Sequence, residues 1–174
     1  MTGIIFQLEG LLGKQIEFLR LLKPNLSRLG LMIDVGSVGQ WRRKDYETAA
    51  ASLGVTVVPV EVRTHDDFDR AFQALIEAKL EALVETPSIL VATQPHDYGA
   101  RAIAARLPTI ANSRIVVDAG GLMSYGRSGR GVWRRALYYV ERILEGVSPG
   151  DLPRGNARLV GTRHQPEDCE DPKS

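Results

Sequence analysis

Two carboxylates stand where apolar runs end: Asp34 in "LMIDVGS" and Glu85 in "EALVETPS". Acidic residues brought side by side in this way can work as an acid/base pair, hold a magnesium ion, meet a ligand ammonium group, or cap the helix that follows. No GxSxG nucleophile motif accompanies them. The other polar residues at such run ends, Ser37, Thr86, Ser88, Asn112 and Ser113, are neutral hydrogen-bonding groups. That set suits recognition of a small polar molecule better than bond breaking.

A second chemical candidate lies in "AGGLMSYGRSGRGVWRRALYYVERILEG", where Gly126, Gly129 and Gly131 are spaced as GxxGxG. This reverses the dinucleotide fingerprint, and no GK[ST] follows to complete a phosphate loop. Arg127, Arg130, Arg134 and Arg135 could gather a phosphate at the start of a helix, although a solvated basic surface is the plainer reading. His65, His96 and His164 are far apart and form no HxH or HxxxH pair, so they read as surface or capping residues. The single cysteine, Cys169, excludes an internal disulfide and a cysteine-based zinc site. Neither a metal nor a cofactor is expected.

The elements that must position these groups follow from patterning. In a chain of 174 residues, 44% apolar and 25% charged, one ordinary domain with a buried core is affordable. A net charge of +1 gives no field that would steer the chain onto nucleic acid or an anionic membrane. No apolar stretch approaches the roughly 18 residues that span a bilayer. The start "MTGIIFQLEGLLGK" has no basic leader, so no signal peptide is read in it.

Leu12, Ile16 and Leu19 recur at helical spacing and predict a helix over 13–23, ended by Pro24 and Asn25. "RLGLMIDV" reads as a strand buried on both faces. A helix carrying Tyr46, Ala49, Ala50 and Leu53 stops at Gly54, and "VTVVPVEV" is a strand that Pro59 places at or near a sheet edge. Thr64 and Asp67 have the capping-box spacing ahead of a helix face of Phe68, Ala71, Phe72 and Leu75. "EALVET" and "PTIAN" are further strands, with a helix from Pro95 to Arg106 between them. Beyond Asn112 come a short turn, a strand at "LMSY", and a helix using Val132, Ala136, Tyr139, Val140 and Ile143, closed by Gly146 and Pro149. Strands alternating with helices predict a doubly wound parallel α/β sheet with helices on both faces, and ligands of such sheets collect at the carboxyl ends of the strands.

"PTIANSRIVVDAGGLMSYG" followed by "WRRALYYVERILEGVSPGDLP" resembles the substrate-binding proteins of ABC importers, in the family that includes the tryptophan and tyrosine binding proteins. A weaker likeness reaches back to "MTGIIFQLEGLLGKQIEFLRLLKP", so the resemblance covers about residues 2–153. It implies one lobe of a two-lobed type I periplasmic-binding-protein fold, in a truncated relative: residues 1–112 as the second lobe, 113–150 as a lobe-crossing segment and a helix of an incomplete first lobe, and 151–174 as a loose tail. It also implies a non-enzymatic protein that captures an amino-acid-like or other polar organic solute for an ABC permease, in the periplasm or at the cell surface; read without the resemblance, a complete chain of this kind would be cytoplasmic.

Within that expectation Asn112 and Ser113 hydrogen-bond the ligand, Asp34 meets an ammonium group, and Ser37 and Thr86 complete the edge. A cleft binder divides its contacts between lobes, so losing about four polar contacts worth roughly 1 kcal/mol each weakens binding on the order of a thousandfold. The helix over 132–143 would lack its partner face, which leads to an expectation of self-association through it. The rival reading from the residues alone is a flavodoxin-like enzyme that uses Asp34 and Glu85 with a metal, or a nucleotide at the arginines. An effector lobe of a transcriptional regulator shares the fold, but no helix-turn-helix segment is present.

Overall fold

The computed structural model describes residues 4–5, 10–37, 43–127, 129–153, 155–156 and 159–163. His164 and Cys169 lie outside the described residues. In chain order the elements are β1 (Ile4–Ile5), α1 (Leu11–Leu22), β2 (Arg28–Asp34), α2 (Arg43–Ser52), β3 (Thr56–Val62), α3 (Asp67–Glu77), β4 (Ala82–Glu85), α4 (Ile89–Thr93), α5 (Pro95–Ala104), β5 (Thr109–Ala111), α6 (Arg114–Asp118), β6 (Met123–Arg127), α7 (Gly129–Leu144), β7 (Gly155–Asn156) and β8 (Leu159–Arg163). Six strands make one sheet in the order β3-β2-β4-β5-β6-β8. Its first five strands are parallel and β8 joins antiparallel to β6.

The alternation of side chains along a strand divides the core into two layers. Leu29, Leu31 and Ile33 of β2 pack with Leu12, Ile16 and Leu19 of α1 and with Tyr46 and Ala50 of α2. Met32 points the other way, into a cluster with Phe68, Phe72 and Leu75 of α3 and Tyr98 of α5. Helices therefore cover both faces, as the apolar runs require of strands buried on both sides. The edge or near-edge position expected from Pro59 is observed, since β3 is the outermost strand at one end of the sheet. At α3 the reciprocal half of the capping box forms: the Asp67 carboxylate accepts from the Thr64 amide at 3.1 Å and from the Arg63 amide at 2.8 Å. These two amides and Arg70 hold the Asp67 carboxyl below its ordinary range.

Three features depart from the expectation. α4 and α6 are five-residue helices where the pattern suggested none or a turn. Such helices are too short to show a period, and Ser88 and Ser113, whose hydroxyls cap them, are the only local signal. The segment expected to be loose contains β8, whose register runs from Met123↔Arg163 to Arg127↔Leu159. A five-residue strand completed by a distant partner leaves little trace in local periodicity.

Candidate functional site

A parallel sheet gathers the carboxyl ends of its strands on one edge, and here β2, β4 and β5 deliver the chemistry. Ser88 is extended, caps α4 by accepting from the Val91 amide at 3.2 Å, and donates its hydroxyl to Asp34 Oδ2 at 2.9 Å. The same Asp34 oxygen accepts from the Ile89 amide at 3.1 Å and the Leu90 amide at 3.4 Å, while Oδ1 accepts from the Gly36 amide at 2.9 Å. The buried Asp34 is thus the anchor of the α4 N-terminus, the capping role among the four open to it from sequence, exerted on a more distant helix than the one that follows it. Replacing an acceptor oxygen by an amide N–H in Asp34→Asn turns a donor against these backbone N–H groups. We expect a loss of about 2 kcal/mol of stability, read as an earlier midpoint in urea; an unchanged midpoint removes Asp34 from this role.

Ser37 and Thr86 also work between strands. The Ser37 hydroxyl reaches the carbonyls of Asp34 and Pro87, and Thr86 Oγ1 donates to the Met32 carbonyl at 3.0 Å. In front of these ties lies an open cavity of about 310 Å³, lined by Glu85, Pro87, Ser88, Val91, Ala92, Asn112, Ser113, Ile115, Val116, Val132 and Trp133. Of the five residues predicted to hold a ligand, Asn112 and Ser113 line this cavity, whereas Asp34, Ser37 and Thr86 do not. Trp133 escaped the sequence reading as a site residue because its helical stripe assigned it to packing. It is 72% exposed and closes the cavity from α7.

Glu85 is buried at the cavity wall, with its Oε2 accepting from the Asn112 amide at 2.8 Å. Burial pushes its carboxyl up to about 8; the charge of Asp34 adds to the shift, while the Asn112 and Ser88 amides oppose it. Glu85 is therefore mostly a neutral acid at pH 7, able to donate a proton in a hydrogen bond. Tyr98 beneath it has its phenol held well above the ordinary range by burial and by Glu85. Gly126 of β6 lies against the backbone of Asn112. A Cβ there would meet the Asn112 carbonyl oxygen at 1.9 Å, so only glycine lets β6 approach the turn that presents Asn112.

The other chemical candidates are dispersed. His65 Nε2 lies 3.1 Å from the Leu90 carbonyl and from Thr93 Oγ1, which makes it a clasp on α4, and His96 is exposed. Among the described residues no group of three His, Cys, Asp or Glu residues is placed to hold a metal ion. Arg135 lies over the Tyr138 and Tyr139 rings and donates to the Tyr139 hydroxyl at 3.0 Å, whereas Arg134 is exposed on another face of the helix. Arg134 and Arg135 therefore do not converge on one anion.

Residues 1–160 match the family model described as ABC transporter substrate binding protein. No curated protein matches the chain. A conserved domain protein of Vibrio cholerae O1 biovar El Tor superposes with a TM-score of 0.74 at 23% identity, covering 86% of this chain and 51% of that one. The ABC domain from Streptococcus pneumoniae in complex with L-Trp gives 0.79 at 17% identity, covering 92% and 55%. A sugar-binding protein of a Bacillus halodurans sugar ABC transporter gives 0.68 at 12% identity, covering 95% and 65%. At these identities the likeness is one of fold. The chain spans about half the length of the first two, and its sheet is one lobe of the type I periplasmic-binding-protein architecture.

Proposed function

Because this chain belongs to the ABC transporter substrate binding protein family, we propose that its strand-end cavity takes up a small solute for an importer, without chemistry, outside the cytoplasmic membrane. The observation that carries the reading is the division of the cavity wall. Val91, Ile115, Val132 and Trp133 offer an apolar and aromatic side, while Glu85, Asn112 and Ser113 offer hydrogen-bonding groups close together. A wall of this kind fits a molecule with a compact polar head and an apolar or aromatic body, as an amino acid has. The relative solved with L-Trp supports this solute class, and the sugar-binding neighbour marks the competing one.

In this reading Asn112 and Ser113 bind the head, Glu85 adds a proton donor, and Trp133 stacks on the body. Asp34, Ser37 and Thr86 position the first two turns instead of touching solute. Delivery to an ABC permease follows from the family.

The test is a titration of the 15N-labelled chain with L-tryptophan, L-leucine and lactose. Amide signals of Ser88, Asn112, Ser113 and Ile115 should move with an amino acid, and Trp133→Ala should weaken the interaction about tenfold. Movement with lactose alone would transfer the site to sugars, and no movement with any of the three would end the proposal for this cavity.

A further inference from the structure

Glu85 brings a carboxyl group to a wall that gives it no counter-charge. It is 3% exposed, lines the solute cavity, and is the one ionisable side chain to do so among the described residues. The titratable groups that act on it come from two elements. β2 presents the Asp34 carboxylate, whose oxygens are taken up by the Ser88 hydroxyl and the Gly36 and Ile89 amides, and α5 presents the Tyr98 phenol, buried without a hydrogen-bond partner. Among the described residues, α4, α6, α7 and the turn after β5 line the cavity with neutral side chains only. Asn112 is a second mark of a binding end: its side chain is 7% exposed, and its buried amide nitrogen has no hydrogen-bond partner.

We infer that the polar end of this cavity selects its solute by an ammonium group, which pairs with the Glu85 carboxylate once the acid has given its proton to water. The inference deepens the solute-binding reading and rests on it. No covalent bond to solute forms: the O–H bond of Glu85 breaks, the proton leaves to solvent, and an N–H of the solute donates to the freed carboxylate. Charge decides between the two ends of an amino acid. A solute carboxylate at this place would join Glu85 and Asp34 with no basic residue on the described wall, whereas an ammonium supplies the counter-charge that lets a buried carboxylate ionise. Oε2 is already held by the Asn112 amide at 2.8 Å, which fixes the carboxyl from the protein side. The Asn112 side-chain nitrogen and the Ser113 hydroxyl are then donors for a solute carboxylate where there is one. The ammonium contact expected of Asp34 thereby falls to Glu85. Below about 8, where Glu85 titrates in the solute-free chain, binding releases a proton, so affinity rises with pH by about tenfold per unit and levels off above that value. An aliphatic ammonium keeps its own charge up to about pH 10.

Tryptamine and indole-3-propionate share an aromatic body and differ in the charge of the head, and NMR titration of the full 13C,15N-labelled chain with each tests the assignment. Tryptamine should shift the amide signals of Ser88, Asn112 and Ser113, with a dissociation constant that falls about tenfold from pH 6 to 7. At pH 7 its saturation should carry the Glu85 carboxyl carbon from the protonated to the ionised chemical shift. Indole-3-propionate should bind about tenfold more weakly or worse, and Glu85→Gln should lose the pH dependence and weaken tryptamine about tenfold at pH 8. Equal binding of the two probes, a tryptamine affinity that is flat or falls from pH 6 to 8, a Glu85 carbon that stays in place, or a Glu85→Gln variant that binds as the parent does would each overturn the assignment. If L-tryptophan or L-leucine still moved the cavity amides in such a case, solute binding would stand without it. Silence from tryptamine and from both amino acids would overturn the two together.

Discussion

Gly126→Ala should lower the stability of the chain by about 3 kcal/mol or more, which for a domain of this size is a fall of roughly 10 °C in Tm. The added methyl would sit 1.9 Å from the Asn112 carbonyl oxygen, and its nearest neighbours are backbone atoms, not the yielding end of a flexible side chain. Either β6 moves away from the β5 turn or the turn moves away from Glu85, whose carboxyl Oε2 accepts from the Asn112 amide. Both routes loosen the pairing of Ala111 with Ser124 that closes this part of the sheet. Gly13→Ala is the matched control. Gly13 lies within α1 with nothing within 4 Å of the added Cβ, so the same substitution there should stabilise by about 0.5–1 kcal/mol. Differential scanning calorimetry of the two variants decides the matter: a Gly126→Ala melt within two degrees of the parent would show that the close approach does not exist in solution.

The second large effect is a dependence of stability on pH that Glu85 imposes. In the unfolded chain its carboxyl titrates at the ordinary 4.5, and in the folded chain at about 8. Between those values the folded state keeps a proton that the unfolded state has released, so stability falls as pH rises. The contribution is fully present below 4.5, declines by about 1.4 kcal/mol per pH unit inside the window, and levels off above 8, a total on the order of 4–5 kcal/mol. Asp67, Asp69 and Glu81 are shifted in the opposite direction, so their titration lies below their ordinary values and leaves the window clear. Glu85→Gln keeps the shape and cannot ionise. Its urea midpoint should match the parent near pH 5 and exceed it clearly at pH 8. Parallel midpoint curves for the two proteins from pH 5 to 9 would show that Glu85 titrates normally.

The sheet was legible because buried parallel strands announce themselves: "RLGLMIDV" has no polar residue between Arg28 and Asp34, and β2 is buried from Leu29 onward. Pro59 placed its strand at the edge for a reason that is local and geometric. The short α4 and α6 were not legible as helices, because five residues hold hardly more than one turn, and their stability comes from Asp34, Ser88 and Ser113 instead of from a period. For the candidate site, sequence pointed to the edge of the sheet where the cavity lies but could not sort the polar residues on it. Asp34 and Asn112 both follow an apolar run. Which one lines the cavity and which one faces backbone amides depends on where α4 begins, and that is decided by residues more than 50 positions along the chain. Trp133 joins the wall only through the path of the chain from β6 into α7, which no pattern within α7 encodes.

Pro59 has a consequence beyond naming its strand. The Thr56 amide and the Val62 carbonyl both bond toward β2, and strand groups alternate in direction, so the nitrogen of Pro59 faces away from the sheet. At that point the outer rim has no N–H to offer to an incoming strand, midway along one of the sheet's two outermost strands. Growth by strand addition is therefore blocked along β3, a guard against fibrous assembly built from one ring and one missing hydrogen.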